Sequence, residues 1–144
     1  MQQKVAVSGF IFRDGKALIL RRGKEEHFLP GYWELPGGKL EFGEDPHDGV
    51  LREVKEEACI DCEVVTIYDC WHYMMLYHDK ETQFIELTFI LNMKKDKPVI
   101  PGDGMDDYRW VTLEELDRYQ IGKEMKEQIQ KGFQWMNSKT KIMK

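Results

Sequence analysis

Residues 33–60 read WELPGGKLEFGEDPHDGVLREVKEEACI, and the reading of this stretch decides the fold. Its first part is rich in glycine and proline and must turn. Asp45-Pro46 then marks a helix start, with a capping residue followed by proline at the first helical position, where a missing N–H costs nothing. The spacing predicts a helix over about residues 46–58. On it Val50, Leu51, Val54 and Ala58 share one arc, while Glu53, Glu56 and Glu57 fall on the adjoining arc. Carboxylates at i, i+3 and i+4 are neighbours one turn apart, and like charges so placed destabilise a helix by about 0.2–0.5 kcal/mol per pair. Such a local conflict is expected where function compensates it. The simplest use for clustered oxygen ligands is a hard divalent cation such as Mg²⁺, held by one or two carboxylates together with substrate phosphates. A solvated acidic face has the same composition, and composition alone does not separate the two.

Outward on the N-terminal side, VAVSGFIF and ALILRR flank Asp14-Gly15, which predicts a β-hairpin with strands over about residues 4–12 and 17–22. Arg21 and Arg22 close the second strand on opposite faces, and the planar donor fork of arginine suits a phosphate. In the loop that follows, Phe28, Tyr32 and Trp33 either cover a ligand base or close the edge of the core, packing being the commoner use of aromatics. Pro36-Gly37-Gly38 lets the backbone approach a ligand closely, so that a main-chain carbonyl can face a metal. The expected substrate contacts are Arg22, Trp33 and Gly38.

On the C-terminal side, strands are predicted over about residues 62–69, 71–78 and 83–93, with a turn at Asp79–Thr82, and a short strand over about 108–111 follows a loop. His72 and His78 have no partner motif and read as ordinary strand residues. Thr112 and Glu115 form a capping box, Ile121, Met125 and Ile129 predict a helix over about residues 122–132, Phe133 and Trp135 either stack a base or dock the C-terminus, and NSKTKIMK is expected to fray.

At 144 residues with a net charge of −5, the chain fits one domain, residues 1–144, able to bury its own core. The acidic balance argues against a broad nucleic-acid surface, but a bound cation would still admit a small anionic substrate. No apolar run is long enough to span a bilayer, and the first residues lack a signal-peptide pattern, so a cytoplasmic protein without a membrane partner is expected. Three cysteines, Cys59, Cys62 and Cys70, are read as reduced thiols; a zinc site at Cys59 and Cys62 would need a second pair that the spacing does not supply.

The central stretch resembles the signature of the Nudix hydrolases, G-x5-E-x7-R-E-U-x-E-E-x-G-U with U a bulky aliphatic residue. Gly38, Glu44, Arg52, Glu53, Val54, Glu56, Glu57 and Ile60 meet it, and only Cys59 departs, standing where the pattern has glycine. The flanking WELPGG and DDYRWVTLEEL are similar to the MutT-like branch. The resemblance implies an α+β Nudix fold, a mixed β-sheet in an α/β/α sandwich. It also implies Mg²⁺- or Mn²⁺-dependent cleavage of a pyrophosphate bond, by water, in a nucleoside triphosphate or another nucleoside-diphosphate-linked metabolite. Gly37, Glu41, Glu53, Glu56 and Glu57 are implied as metal ligands, with Glu53 or Glu56 as the base and Arg52 orienting the acids. MutT-like relatives often carry a glutamate six residues before the tryptophan of the last strand; that position is Gly104, and Asp103 or Asp106 is the candidate replacement. A partner beyond the small nucleotide would be a second copy of the chain in a homodimer. The rival reading is a nucleotide-binding sensor or adaptor on the same fold, without catalysis.

Overall fold

The computed structural model describes the backbone of residues 1–143 and the side chains of residues 1–139. The N-terminal hairpin forms as its sequence requires: β1 (Gln2–Arg13) and β2 (Lys16–Arg22) pair antiparallel. The connecting Asp14 and Gly15 have φ of 50° and 78°, the left-handed conformation of a two-residue turn. Two short strands, β3 (Trp33–Glu34) and β4 (Gly37–Lys39), precede helix α1 (Pro46–Ala58). Strands β5 (Cys62–Tyr77) and β6 (Lys80–Met93) make a long hairpin, and β7 (Met105–Val111) leads through a 3-10 turn at Leu113–Arg118 into helix α2 (Lys123–Met143).

The sheet runs β3-β2-β1-β6-β5, with β4 on β1 and β7 on β2. Among the described strands only β1 and β6 pair in parallel, which makes the sheet mixed. Alternation splits each central strand between two cores. Val7, Ile11, Leu18, Leu20, Phe89 and Leu91 face α1 and meet Val50, Val54 and Ala58. Phe10, Ala17, Ile19 and Ile90 face α2 and meet Ile129 and Phe133. The expected α/β/α sandwich is the observed architecture, and among the described residues no helix is long and apolar enough to cross a membrane.

Helix α1 begins and ends where its sequence says. The Asp45 carboxylate accepts from the His47 N–H at 2.7 Å, and Pro46 follows it. Cys59 caps the other end with φ 59° and ψ 32°, and its N–H reaches the Lys55 carbonyl. A β-carbon in that region is strained, so the cysteine carries the strain that glycine would relieve. The next carbonyls are satisfied from outside: the N–H groups of Ile100, Gly102 and Asp103 bond to the carbonyls of Ala58, Glu57 and Glu56. A β-carbon on Gly102 would collide with the Glu56 carbonyl, so the loop before β7 lies directly against the helix end.

Four sequence expectations need correction. The segments 62–69 and 71–78 form one strand, because register shifts at Val64/Thr66 and Ile67/Asp69 absorb the broken alternation without ending the ladder. The β5–β6 turn is His78-Asp79 rather than Asp79–Thr82; both residues take positive φ, and Tyr77 pairs with Lys80. In the Thr112/Glu115 box the threonine hydroxyl donates to the Glu115 carboxylate at 2.9 Å rather than capping a backbone N–H, and the helix that follows is 3-10. Helix α2 does not end near residue 132 but continues to Met143; only Lys144 of the expected frayed tail lies outside the described residues. Phe133 docks the helix, its ring edge-on to Phe10 at 5.1 Å.

Cys59→Gly should therefore raise the stability of the fold by about 0.5–1 kcal/mol, the relief of a left-handed β-carbon less the extra freedom of glycine in the unfolded chain. Urea denaturation monitored by circular dichroism measures it, and an unchanged or lower midpoint would refute the strain at the cap.

Candidate active site

The two helices do not cover the sheet equally. On the face that α2 packs against, Ala6 and Ser8 of β1, Phe84 and Glu86 of β6, and Tyr73 and Met75 of β5 floor a cavity of about 350 Å³, which α2 lines only through Met125. Its rim is built from Arg22 at the end of β2, Glu34 on β3, Gly37 and Gly38 on β4, Glu53 and Glu57 from α1, and Asp103 and Gly104 before β7.

The acidic residues of α1 reach this rim in different ways. Glu57 is 8% exposed, and its carboxylate accepts from the Gly37 N–H at 2.8 Å. Glu53 presses against Gly38, where a β-carbon would lie 2.5 Å from the carboxylate oxygen; glycine is the residue that leaves room. Glu56 is exposed and does not line the cavity, and Glu41 is more exposed still. Arg52 ties the group together. Its guanidinium donates to Glu44 at 2.7 and 3.0 Å, to Glu53 at 3.0 Å and to Glu56 at 3.2 Å, and to the Lys39 carbonyl at 3.2 Å, with Glu41 at 3.8 Å. These bonds hold the Glu44 carboxyl down to about 2, the Glu41 backbone N–H assisting.

Glu34, Glu53 and Glu57, which line the cavity, behave in the opposite sense. Burial raises the Glu57 carboxyl well above its usual range; the Gly37 N–H opposes this, while Glu34 and Glu53 add to it. Burial also raises Glu53 against the pull of Arg52, and raises Glu34 against the pull of Arg22, which stands 3.0 Å away. The cavity rim thus holds more negative charge than its arginines offset.

A hard divalent cation suits this donor set: the groups are oxygens, and their excess charge is what a cation would neutralise. Glu53 and Glu57 would hold it from inside the cavity, with Glu56, Glu41 and the Gly37 backbone alongside. Among the described residues no three acidic, histidine or cysteine side chains form a ready-made ligand cluster, since Arg52 draws Glu53 and Glu56 to itself.

Of the expected substrate contacts, Arg22 and Gly38 line the cavity. Trp33 does not. It is 8% exposed in the core facing α2, edge-on to Tyr119 at 5.2 Å and flanked by Arg21 and Arg109, so packing is its use. Arg21 is bound to Asp106 at 2.6 Å, which draws Asp106 away from the rim; Asp103 does line it. The space over Gly104 is filled from elsewhere, because a β-carbon there would lie 2.5 Å from the Glu26 carboxylate, itself part of the cavity lining. Glu26, Glu34 and Glu86 escaped the sequence reading; the one available signal was Glu86, a lone charge inside the apolar run FIELTFIL. His72 and His78 are exposed, and Cys62 is buried with its thiol pushed up to about 12 by burial, far from a zinc-binding thiolate.

Comparison with known proteins bears on this geometry. The family described as the NUDIX domain matches residues 2–132. The 8-oxo-dGTP diphosphatase of Proteus vulgaris is 37% identical over 79 residues, covering 55% of this chain and 65% of that protein. The nucleoside triphosphatase NudI of Enterobacter sp. (strain 638) is 26% identical over 124 residues, covering 81% and 87%. The crystal structure of the MutT protein from Methanosarcina mazei Go1 superposes with a TM-score of 0.75 at 24% identity, covering 94% and 96%, a likeness of fold.

A carboxyl whose folded value lies above its usual 4.5 favours the protonated fold, so stability falls as pH rises from that value toward the raised one. The cation-free protein should therefore melt at lower temperature at about pH 8 than at about pH 5, and millimolar Mg²⁺ should restore the midpoint mainly at the higher pH. Glu57→Gln should raise the cation-free midpoint at about pH 8 and abolish the Mg²⁺ effect. Differential scanning calorimetry decides, and a Mg²⁺ effect equal in wild type and variant would exclude Glu57 as a ligand.

Proposed function

The chain belongs to the Nudix hydrolase family, in its MutT-like branch, and we propose that it hydrolyses a nucleoside triphosphate or another nucleoside-diphosphate-linked metabolite, with water attacking a phosphorus of the pyrophosphate and Mg²⁺ or Mn²⁺ as cofactor. The observation that carries this reading is the rim: buried carboxylates of α1 stand against Gly37 and Gly38 at the edge of a cavity whose floor is aromatic and apolar. The names of the relatives, a diphosphatase and a triphosphatase of nucleotides, support the same substrate class.

When bound, the cation neutralises charge developing on the phosphates and lowers the pKa of a coordinated water. The chain's own residues do the rest. Glu53 is the favoured proton acceptor over Glu56, because it lines the cavity and burial raises its proton affinity, whereas Glu56 is exposed and does not line it. Arg52 keeps the acidic side chains from springing apart, and Arg22, at the rim between Glu26 and Glu34, is placed to meet a phosphate. Glu26 supplies a carboxylate in the space that Gly104 leaves open.

A cytoplasmic location belongs to the same proposal and is supported by three unpaired cysteines, which suit a reducing compartment. A homodimer is supported by Val65, Ile67, Met74 and Leu76, apolar side chains that strand β5 leaves exposed.

Phosphate or pyrophosphate release from a panel of nucleoside triphosphates, with and without Mg²⁺, tests the proposal. The expected outcome is Mg²⁺-dependent turnover that falls at least about 100-fold in Glu53→Gln and clearly, though less, in Glu56→Gln. A wild type that binds nucleotides but never turns them over would instead be the nucleotide-binding sensor.

A further inference from the structure

Glu86 is a buried acid of the cavity that phosphate chemistry leaves unused. It stands in the middle of β6, paired in register with Ala6 on one side and Trp71 on the other, and is 6% exposed. Its carboxylate belongs to the cavity floor among Tyr73, Met75, Tyr77 and Phe84. A carboxylate buried among apolar groups is costly unless something compensates it. Among the described residues no cation does. The Ser8 hydroxyl donates to one oxygen at 3.0 Å and the Tyr73 hydroxyl to the other at 3.3 Å, and the charge that acts on it is Glu34, also negative.

The two hydroxyls also define what remains open. A carboxylate offers about two acceptor directions on each oxygen, and with one taken on Oε2 and one on Oε1, each oxygen retains one. When ionised, the carboxylate therefore offers a pair of acceptors with no donor; burial pushes the Glu86 carboxyl up to about 7, so this form is held around and above neutral pH. The aromatic surroundings suit a flat ring: Tyr73 and Phe84 stack at 5.4 Å with 13° between planes, and Tyr77 closes edge-on to Phe84. Glu86 lies on the sheet face that floors the cavity; its donor Ser8 pairs with Gly37, whose N–H holds Glu57 at the rim, so a base on the floor and phosphates at the rim would be close neighbours.

We propose that Glu86 is the specificity-determining residue of the cavity and selects a base that presents two adjacent N–H donors, the arrangement of a 2-amino-6-oxopurine such as guanine. Adenine and cytosine set one amine beside an acceptor nitrogen, and uracil and thymine set one N–H between two oxygens, so each of them turns an acceptor toward one carboxylate oxygen. The inference rests on reading the cavity as a nucleotide site, and Ser8 and Tyr73 act as positioning residues that fix the carboxylate.

Binding of GMP, IMP and AMP, measured by titration calorimetry, tests this without requiring turnover. IMP keeps the ring N–H but lacks the 2-amino group. GMP should bind at least about tenfold more tightly than IMP, the loss expected when one buried acceptor is left unpaired, and AMP should bind more weakly still. In Glu86→Gln the GMP-to-IMP ratio should fall close to one. The wild-type ratio does not depend on the variant folding: equal binding of GMP and IMP, or a preference for AMP, overturns the proposal. The catalytic reading fails separately. A wild type that prefers GMP yet hydrolyses no triphosphate refutes hydrolysis and keeps Glu86 as the base reader, whereas equal kcat/KM for GTP, ITP and ATP refutes the role of Glu86 and keeps hydrolysis.

Discussion

The guanidinium of Arg52 is the interaction on which the acidic helix depends. Among the described residues it is the one cation in contact with Glu44, Glu53 and Glu56 together, and it also donates to the Lys39 carbonyl at the end of β4. Without it, α1 would carry Glu53, Glu56 and Glu57 as uncompensated neighbours near its C-terminus, the negative end of the helix dipole. The planar fork of arginine matters because it addresses several oxygens from fixed directions, which an ammonium cannot do. Arg52 thus serves folding and arrangement at once. It satisfies Glu44 and Glu56 outside the cavity and Glu53 at its rim, and leaves Glu57, held by the Gly37 N–H, with its charge only partly met.

The cavity follows from a different constraint, the unequal coverage of a single sheet. Alternation gives every central strand two faces. One is sealed by α1, but α2 covers only the part of the other that carries Phe10, Ile90 and Phe133. The remainder of that face, from Ala6 to Tyr77, stays open and becomes a floor. Glycines at 37 and 38 then let α1, which belongs to the opposite layer, send two carboxylates to the rim at the β4 edge. A site between layers arises without a second domain.

What was legible in the sequence was what local rules determine. Asp45-Pro46, the Asp14-Gly15 turn, and the apolar arc of Val50, Val54 and Ala58 each act within a few residues, and the structure agrees with them. The α1 acids were legible as a group but not individually. Spacing put Glu57 with Glu53 and Glu56 on a polar arc, yet Glu57 is buried and Glu56 exposed, a difference made by β4 packing against one side of the helix. Trp33 packs in the core and does not line the cavity, which the sequence could not tell because an aromatic beside a glycine-rich turn serves packing or recognition until Tyr119 is seen against it. Glu26 lies far from residue 104 in the chain, and only the fold reveals that its carboxylate fills the space above that glycine. The sequence likewise could not tell that the two apolar halves of β5 share one ladder, since register shifts of this kind leave no periodic trace.

The loop before β7 has an implication for how such a chain can vary. Surface connections ordinarily absorb insertions and deletions at little cost. Here three N–H groups within four residues, those of Ile100, Gly102 and Asp103, are bonded to the last carbonyls of α1, and Gly102 lies too close to Glu56 to accept any side chain. Length and composition over this segment are therefore coupled to the position of the acidic helix. An inserted residue is better placed upstream, among exposed residues 94–98, where it changes no contact that the carboxylates rely on.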